Sequence, residues 1–370
     1  MKKEPTDNNT EIITRKIQLL VDEPDKELER QAWQTLYRWQ QVCFRAANTI
    51  MSHIFVQEQL PNMSYLADEV QRNLADMHKH PGSLLCTSRI NSTLRLLSQQ
   101  YKGQIPIHIL GRLNMTLHRD FVKKRHQYLE GEKTVPSFHR RIPIPVCAAD
   151  IRGLALIQDS HNYSLRIHQL PFRSFLGADW SDKPALLQQV VDGQIKLCDS
   201  HLLIRNKRLF LLAVFRRPLH PPPPGNDAVA EVSLSPETPI TVRIAGRRYT
   251  IGSKEEFLYR RLAIQQARQR VQQAIGACRG GHGATRKRKA LDAFEEKEKN
   301  FIHNRLHTYS RRLVDLCLQH RAATILLVGQ QEKEAAAKED AFLLRNWSYY
   351  ALKEKIWYKA RRVGIKVLTE

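Results

Sequence analysis

The sequence of 370 residues contains neither a long apolar run nor a paired cysteine motif. No hydrophobic stretch approaches the roughly 20 residues that cross a bilayer. The first residues, MKKEPTDNNTEIITRK, lack the apolar core of a signal peptide. The six cysteines are scattered singly, with no CxxC pair. These absences argue against a membrane protein. They predict a cytoplasmic protein with reduced thiols and no cysteine-rich zinc site.

Basic residues outnumber acidic residues by a wide margin. The chain has 59 Lys and Arg against 37 Asp and Glu, which gives a formal net charge of +22. Such an excess repels itself unless a polyanion compensates it, and the commonest polyanion of a cytosol is nucleic acid. A membrane surface fits less well, because the basic helices also carry acids and have no clean lipid-facing stripe. A merely basic soluble protein stays open as an alternative at this point.

Hydrophobic periodicity divides the first 219 residues into strands and helices. Residues 11–20 alternate as one strand, and from about Asp25 to Leu60 apolar residues recur at helical spacing. Further helices are predicted up to residue 132. Residues 133–219 then change to short alternating segments typical of an antiparallel barrel, with a hairpin turning at Asn206–Lys207. Because the first strand needs partners, we predict that residues 1–27 join this barrel and that residues 28–132 are a helical insertion.

The second half of the chain has a different texture. HPPPPGND, residues 220–227, predicts a stiff linker. Residues 228–370 are expected to form a layered α/β domain. Its predicted elements are two or three strands, a helix over 254–277, a basic glycine-containing break, a helix from about Leu291 to His320, a buried strand over 324–328, a helix over 341–362 and a last strand, IKVL.

Several long strings resemble one protein family. RKRKALDAFEEKEKNFIHNRLHTYSRRLVDLCLQHRAATILL and NWSYYALKEKIWYKARRVGIKV are similar to the RuvC-type domain of TnpB proteins and the compact type V CRISPR effectors. PSFHRRIPIPV and GQIKLCDSHLLIRNKRLFLLAV are similar to the barrel, or wedge, domain of that family. The resemblance implies an α+β multidomain fold. A β-barrel wedge domain with an inserted helical recognition lobe would precede a truncated RuvC-like (RNase H-like) α/β domain.

The resemblance also implies where a nuclease site would lie. RuvC-type nucleases hold two divalent metal ions with carboxylates. The family's first Asp matches Ser233, and its second acid, a Glu after the long helix, matches Val328. Glu231 and Glu237 flank Ser233, but the alternation of side chains along a strand is expected to leave neither in the matching register. A third Asp and a CxxC…CxxC segment have no counterpart up to Glu370. We therefore expect no catalytic residues, no metal and no cofactor, with Val328 buried in the core.

The resemblance also implies that this chain keeps the nucleic-acid-binding domains of the family. There the wedge and recognition lobes hold a structured guide RNA, the protein reads a short duplex motif, and base pairing reads the remaining target. Cations are expected to contact backbone phosphates, and His307 to pack or contact phosphate rather than to bind metal. The predicted nucleic-acid-binding residues are Arg38, Arg45, Lys123, Lys124, Arg125, Arg140, Arg141, Arg260, Arg261, Arg268, Arg270, Arg279, Arg286, Lys287, Arg288, Lys289, His307 and Arg311.

These observations predict an RNA-guided, nuclease-dead DNA-binding protein of the bacterial cytosol, similar to the TnpB-like nuclease-dead repressors. Its partners would be a guide RNA and double-stranded target DNA, and it would compete with RNA polymerase for promoters. Three alternatives remain. The chain could be an active nuclease whose acids lie elsewhere, a guide-independent DNA-binding protein derived from a transposon, or a guided platform that recruits a transcription factor.

Overall fold

The computed structural model describes residues 10–59, 88–158, 160–177, 181–218, 228–277, 281–329 and 348–370. The chain divides into two compact units, Met1–Pro218 and Leu219–Glu370. The predicted linker at 220–227, the candidate residue Arg279 and the first part of the helix predicted over 341–362 lie outside the described residues.

The first unit combines a curled antiparallel sheet, which forms half a barrel, with a block of helices. The strand order is β2-β6-β7-β1-β5-β4-β3. The strands are β1 (Thr10–Val21), β2 (Ile144–Val146), β3 (Ile151–Leu156), β4 (Tyr163–Ile167), β5 (Leu170–Phe175), β6 (Lys196–Arg205) and β7 (Arg208–Pro218). The helices are α1 (Lys26–Gln59), α2 (Arg89–Gln100), α3 (Ile107–Lys123), α4 (Arg125–Leu129) and α5 (Lys183–Val191).

The first strand lies in the middle of this sheet. β1 pairs antiparallel with β7, where Ile13 lies opposite Phe215, and with β5, where Leu20 lies opposite Arg173. Alternation along β1 buries Ile13 and Ile17 in the core that the sheet shares with α1 and α3. Since α1–α4 separate β1 from all its sheet partners in sequence, the helical block is an insertion. This confirms the insertion predicted from the sequence.

The β6–β7 hairpin turns where the sequence predicted. Asn206 and Lys207 have φ values of 53° and 58°, and Arg205 pairs with Arg208 directly across the turn. Two successive residues with positive φ match the right-handed twist of the flanking strands, and asparagine adopts this conformation more readily than most residues.

The second unit contains a five-stranded mixed sheet with the order β10-β9-β8-β11-β12. β8, β9 and β10 form an antiparallel meander, and β11 pairs parallel with both β8 and β12. The strands are β8 (Val229–Ser233), β9 (Ile240–Ile244), β10 (Arg247–Ile251), β11 (Thr324–Leu327) and β12 (Lys366–Thr369). The helices are α6 (Arg260–Gly276), preceded by a π-helical turn at Glu255–Tyr259, α7 (His282–Gln319) and α8 (Tyr349–Arg362). The α/β arrangement predicted for this half of the chain is confirmed.

The core of the second unit lies on one face of its sheet. Val232 and Ile325 are fully buried together with Tyr309 and Leu313 of α7 and Leu352 of α8. Burial raises the pKa of the Tyr309 hydroxyl to about 12, and the nearby Glu256 carboxylate adds to the effect. Tyr309 is therefore a neutral core residue at physiological pH.

The second long helix begins earlier than the sequence predicted. α7 starts at His282 rather than near Leu291, so the run 286–289 is helical and not part of a break. The segment lacks an apolar period, but Ala284 is buried and the Lys287 ammonium donates to the Ala274 carbonyl of α6 at 3.0 Å. These contacts stabilise a helical start that residue spacing alone does not indicate. A single glycine inside it, Gly283, costs only about 1 kcal/mol.

Two of the four described cysteines lie in the core. Cys43 and Cys317 are fully buried, and burial raises the pKa of each thiol to about 12, as expected of small core residues. Cys147 and Cys198 are half-buried, and Cys86 and Cys278 lie outside the described residues. In the part of the chain that the structure describes, no helix has the length and apolar character that a membrane crossing requires.

A glycine at the end of β10 gives a testable prediction. Gly252 has φ +80°, and a Cβ there would lie 2.7 Å from Cζ of the buried Tyr309 ring and 3.0 Å from Cγ of Pro239. Gly246 has a similar φ of +76°, but a Cβ there would meet nothing within 4 Å. Gly246→Ala should lower the free energy of unfolding by about 1–2 kcal/mol through backbone strain alone. Gly252→Ala should cost about 1–3 kcal/mol more through overpacking. Equal losses in urea unfolding would contradict this packing.

Candidate nucleic-acid interface

Ser233 and Val328, the two positions predicted to match the family's carboxylates, lie side by side. β8 and β11 run parallel with Val232 beside Leu327, and the Val328 N–H donates to the Val232 carbonyl at 3.0 Å. Ser233 and Val328 therefore sit together at the carboxyl ends of adjacent parallel strands, the edge where α/β sheets commonly bind ligands. Both line one cleft of about 540 Å³. Its other lining residues are Glu231, Ser235, Glu237, Thr238, Thr241, Arg243 and Arg248.

The expectation that Val328 is a core residue is wrong. The core side chains of β11 are Ile325 and Leu327, both 0% exposed, and Val328 is only half-buried. Side chains alternate along a strand, so a residue that follows Leu327 points away from the core and toward the cleft. The apolar side chain at this position therefore shapes an open surface rather than filling the interior.

The carboxylates of the cleft already have cationic partners. Glu231 is two residues from Ser233 and hence on the same side of β8, contrary to the expected register, but its carboxylate lies 3.6 Å from the Arg243 guanidinium. Glu237 pairs with the Lys254 ammonium. These pairs lower the negative potential that would attract a divalent cation.

The cleft does not fit the metal pair of a RuvC-type nuclease. At the two matched positions it offers one hydroxyl and one hydrocarbon side chain, whereas divalent ions of this kind prefer carboxylate oxygens. Arg243 and Arg248 add two guanidinium groups to the same wall. Within the described ranges, no group of three or more His, Cys, Asp and Glu side chains is placed to hold a metal ion.

The predicted cations of the first unit are exposed, and one of them, Arg125, pairs with a buried carboxylate. Arg38 and Arg45 are exposed on α1, seven residues and hence two turns apart on one face. Arg125 differs, because its guanidinium lies 2.6 Å from the Glu58 carboxylate, which is 6% exposed and also pairs with Arg89. Arg125 therefore compensates a buried charge that joins α1, α2 and α4. The other exposed candidates are Lys123, Lys124, Arg140 and Arg141.

Helix α6 shows the same division. The Arg261 guanidinium donates to Glu298 at 3.0 Å and to the Ser348 hydroxyl at 3.2 Å, and the side chains of Arg261 and Glu298 are each 11% exposed. Arg268 lies 3.8 Å from Glu295. These two arginines tie α6 to α7. Arg260 and Arg270 are exposed and available to a ligand.

The basic run at the start of α7 presents most of its charge to solvent. Arg286, Arg288 and Lys289 are exposed, whereas Lys287 is engaged with the Ala274 carbonyl. These exposed side-chain cations on a helical surface can contact phosphates.

His307 lies between α7 and α8 beside two lysines that the sequence analysis did not identify. Its Nε2 is 3.2 Å from the Lys355 ammonium, and its carbonyl oxygen accepts from the Lys359 ammonium. Burial, followed by the repulsion of both ammonium groups, lowers the pKa of His307 to about 4. Its neighbour along α7, Arg311, pairs with Asp315 at 2.8 Å. The i, i+4 spacing of the two lysines beside buried Ile356 and Ala360 was the available sequence signal.

Comparisons with known proteins give one consistent likeness. The chain is 23% identical over 277 residues to the CRISPR-associated endodeoxyribonuclease Cas12f1 of Sulfoacidibacillus thermotolerans, covering 70% of this chain and 65% of the relative. A protein of the same name from Syntrophomonas palmitatica is 36% identical over 93 residues, which cover 25% of this chain and 18% of the relative. The chain thus spans less than two thirds of the length of either curated relative. No protein-family model matches the sequence.

The solved structures agree with the sequence relatives. The structure of a Cas12f1–sgRNA–target DNA complex superposes with a TM-score of 0.67 at 13% identity, covering 98% of this chain and 89% of that chain. The chain therefore has a Cas12f-like, multidomain α+β fold. Together with the sequence matches, this fold supports homology to Cas12f1, a compact type V effector related to TnpB.

The position of Val328 gives a second prediction. Since Val328 is half-buried at an open cleft with Arg243 and Arg248, Val328→Glu should lower the free energy of unfolding by less than about 1 kcal/mol. The neighbouring Leu327 is 0% exposed, so Leu327→Glu should cost about 3–5 kcal/mol as an unpaired buried charge. Urea unfolding of both variants measures the difference. If Val328→Glu lowered the free energy of unfolding as much as Leu327→Glu, Val328 would be a core residue after all.

The exposed run on α7 gives a third prediction. Replacing Arg286, Arg288 and Lys289 with Gln should lower the slope of log affinity against log salt by about 2–3 for non-specific duplex DNA, because each lost phosphate contact releases about one counterion fewer. Lys287 is kept because it supports the helix. The matched control removes three cations that pair with carboxylates, Arg30, Arg173 and Lys299, and should change the slope less. A variant that instead loses preference for one short motif would identify the run as a base reader.

Proposed function

We propose that this protein is an RNA-guided DNA-binding protein without nuclease activity, and that it represses transcription by occupying promoter DNA. The observation that carries the proposal is the cleft in which Ser233 and Val328 meet. A nuclease of this fold would place two carboxylates at that edge of the sheet. The hydroxyl and isopropyl groups of this chain bind no divalent cation with useful affinity.

The choice of guide RNA and target DNA as partners has separate grounds. The similar Cas12f1 structure is a complex with sgRNA and target DNA. This chain has a formal net charge of +22, and exposed cations occur in both of its units, for example Arg38, Arg45, Arg260 and Arg286. A guide–target heteroduplex is a polyanion that such residues bind through its backbone.

A guided protein that does not cleave DNA acts by occupying its target. Protein cations neutralise phosphates and position the strands, while base pairing between guide and target supplies sequence specificity. Without strand cleavage, the bound complex persists on its target and excludes RNA polymerase from an overlapping promoter. The protein acts in the cytosol, where guide RNA and chromosomal DNA are both present.

The proposal predicts guide-dependent repression. RNA that co-purifies with the protein is sequenced, and a reporter promoter is built to contain the matching target beside the motif found at natural matches. Repression is expected with the matched guide and should be lost with mismatches next to the duplex motif, because heteroduplex formation nucleates there. Reporter fluorescence in cells measures the outcome. In the positional control, the same target lies far upstream of the promoter, where little repression is expected.

The same series separates the alternative functions. Equal repression by matched, mismatched and absent guide would establish guide-independent DNA binding. Activation instead of repression would establish recruitment of a transcription factor. Incubation of the guided complex with matched DNA and Mg²⁺ should leave both strands intact, and chelator-sensitive scission would overturn the loss of nuclease activity.

A further inference from the structure

Five basic side chains converge between α7 and α8. His303, His307 and Arg311 recur every four residues and share one face of α7, and Lys355 and Lys359 have the same spacing on α8. The Lys355 ammonium is 3.2 Å from Nε2 of His307, the Lys359 ammonium donates to the His307 carbonyl, and the rings of His303 and His307 have centroids 4.3 Å apart. We refer to these five residues as the α7–α8 cation cluster.

The cluster has an excess of positive charge. The charged groups that act on Lys359 are the cations Arg311, Lys355 and Arg362 and a single carboxylate, Asp315. That carboxylate is already paired with Arg311 at 2.8 Å. Like charges held close together in a partly desolvated site repel one another, and this repulsion destabilises the folded state unless an anion offsets it.

Burial and this repulsion both lower pKa values within the cluster. Burial, followed by repulsion from Arg311 and Lys355, lowers the pKa of Lys359 to about 8. His307, with a pKa of about 4, is neutral at pH 7, so its Nε2 accepts a hydrogen bond from the Lys355 ammonium. At neutral pH the cluster therefore presents two positioned ammonium groups and one guanidinium.

We propose that the α7–α8 cation cluster binds a backbone phosphate of a nucleic-acid strand. The ammonium groups of Lys355 and Lys359 and the guanidinium of Arg311 donate to the phosphate oxygens. Neutral His307 fixes the direction of the Lys355 ammonium, so His307 is a positioning residue. The site reads no base and adds affinity without sequence preference. The inference rests on the proposed function only for its choice of nucleic acid as the source of the phosphate.

A feature beside the cluster favours a nucleotide over free phosphate. Tyr358 is 41% exposed and lies one helical turn from Lys355, and the Arg362 guanidinium is 5.6 Å from its ring centroid. An aromatic ring next to phosphate donors offers a stacking surface for a sugar or base. Inorganic phosphate has no group that would use this surface.

The direct test observes Lys359 itself. Lysines are ¹³C-methylated in the full-length protein, the Lys359 signal is assigned by its loss in Lys359→Arg, and its titration is followed by NMR. Without ligand the midpoint should lie near the pKa of about 8. A saturating ten-nucleotide oligothymidine should raise it toward the ordinary lysine value of about 10.4. An unchanged midpoint while anisotropy shows the oligonucleotide bound would overturn the site. A rise with inorganic phosphate but not with oligothymidine would overturn its assignment to nucleic acid.

A charge-retaining variant gives the fifth prediction. Between pH 7 and pH 9, oligothymidine affinity should fall up to about tenfold more for the wild type than for Lys359→Arg, because arginine stays protonated while an amine of pKa about 8 does not. Lys359→Gln should bind weakly at both pH values. Lys366→Gln, which removes an exposed charge from β12, should behave as the wild type. Identical pH profiles for Lys359→Arg and the wild type would contradict the proposal. No guide RNA is present, so failure here leaves guided repression untouched.

Discussion

The parallel pairing of β8 with β11 is the constraint on which the second unit depends. Its register places Val232 beside Leu327, which turns both side chains into the core beneath α7 and α8. The same register leaves Ser233 and Val328 as neighbours on the opposite side. A slip of one residue would exchange the two faces, so the packing of the core and the chemistry of the cleft cannot vary independently. The shape of a sheet held in this way does not depend on which side chains line its cleft.

Local patterns were sufficient to predict most of the fold. The alternation in β1, the helical period of α1 and the turn at Asn206–Lys207 each belong to a few consecutive residues, and each was found where expected. The errors arose where a tertiary contact decides the outcome. Residues 282–289 are helical because they pack on α6, and Val328 faces a cleft because the pairing with β8 gives the core position to Leu327 before it. Neither contact leaves a periodic signal in the sequence.

The sequence predicts the positive charge of the candidate binding surface but not which of its cations are available to a ligand. Composition gives the number of cations, whereas only the fold shows that Arg125 compensates Glu58 and that Arg261 compensates Glu298, two buried carboxylates. Removing either arginine would take a cationic partner from a buried carboxylate, so a loss of binding in such a variant would be confounded by a loss of stability. Lys359 is the converse case, a residue of ordinary appearance in the sequence whose surroundings alter its chemistry.

The central place of β1 has a consequence for synthesis on the ribosome. The strand is translated well before its partners β5 and β7, which begin at Leu170 and Arg208. At 5–20 residues per second, the interval is on the order of 10 s. During that time β1 has both hydrogen-bonding edges open, while α1 and the helices that follow can form from contacts near in sequence. The nascent chain thus carries an unpaired apolar strand that must avoid other nascent chains until the half-barrel assembles around it.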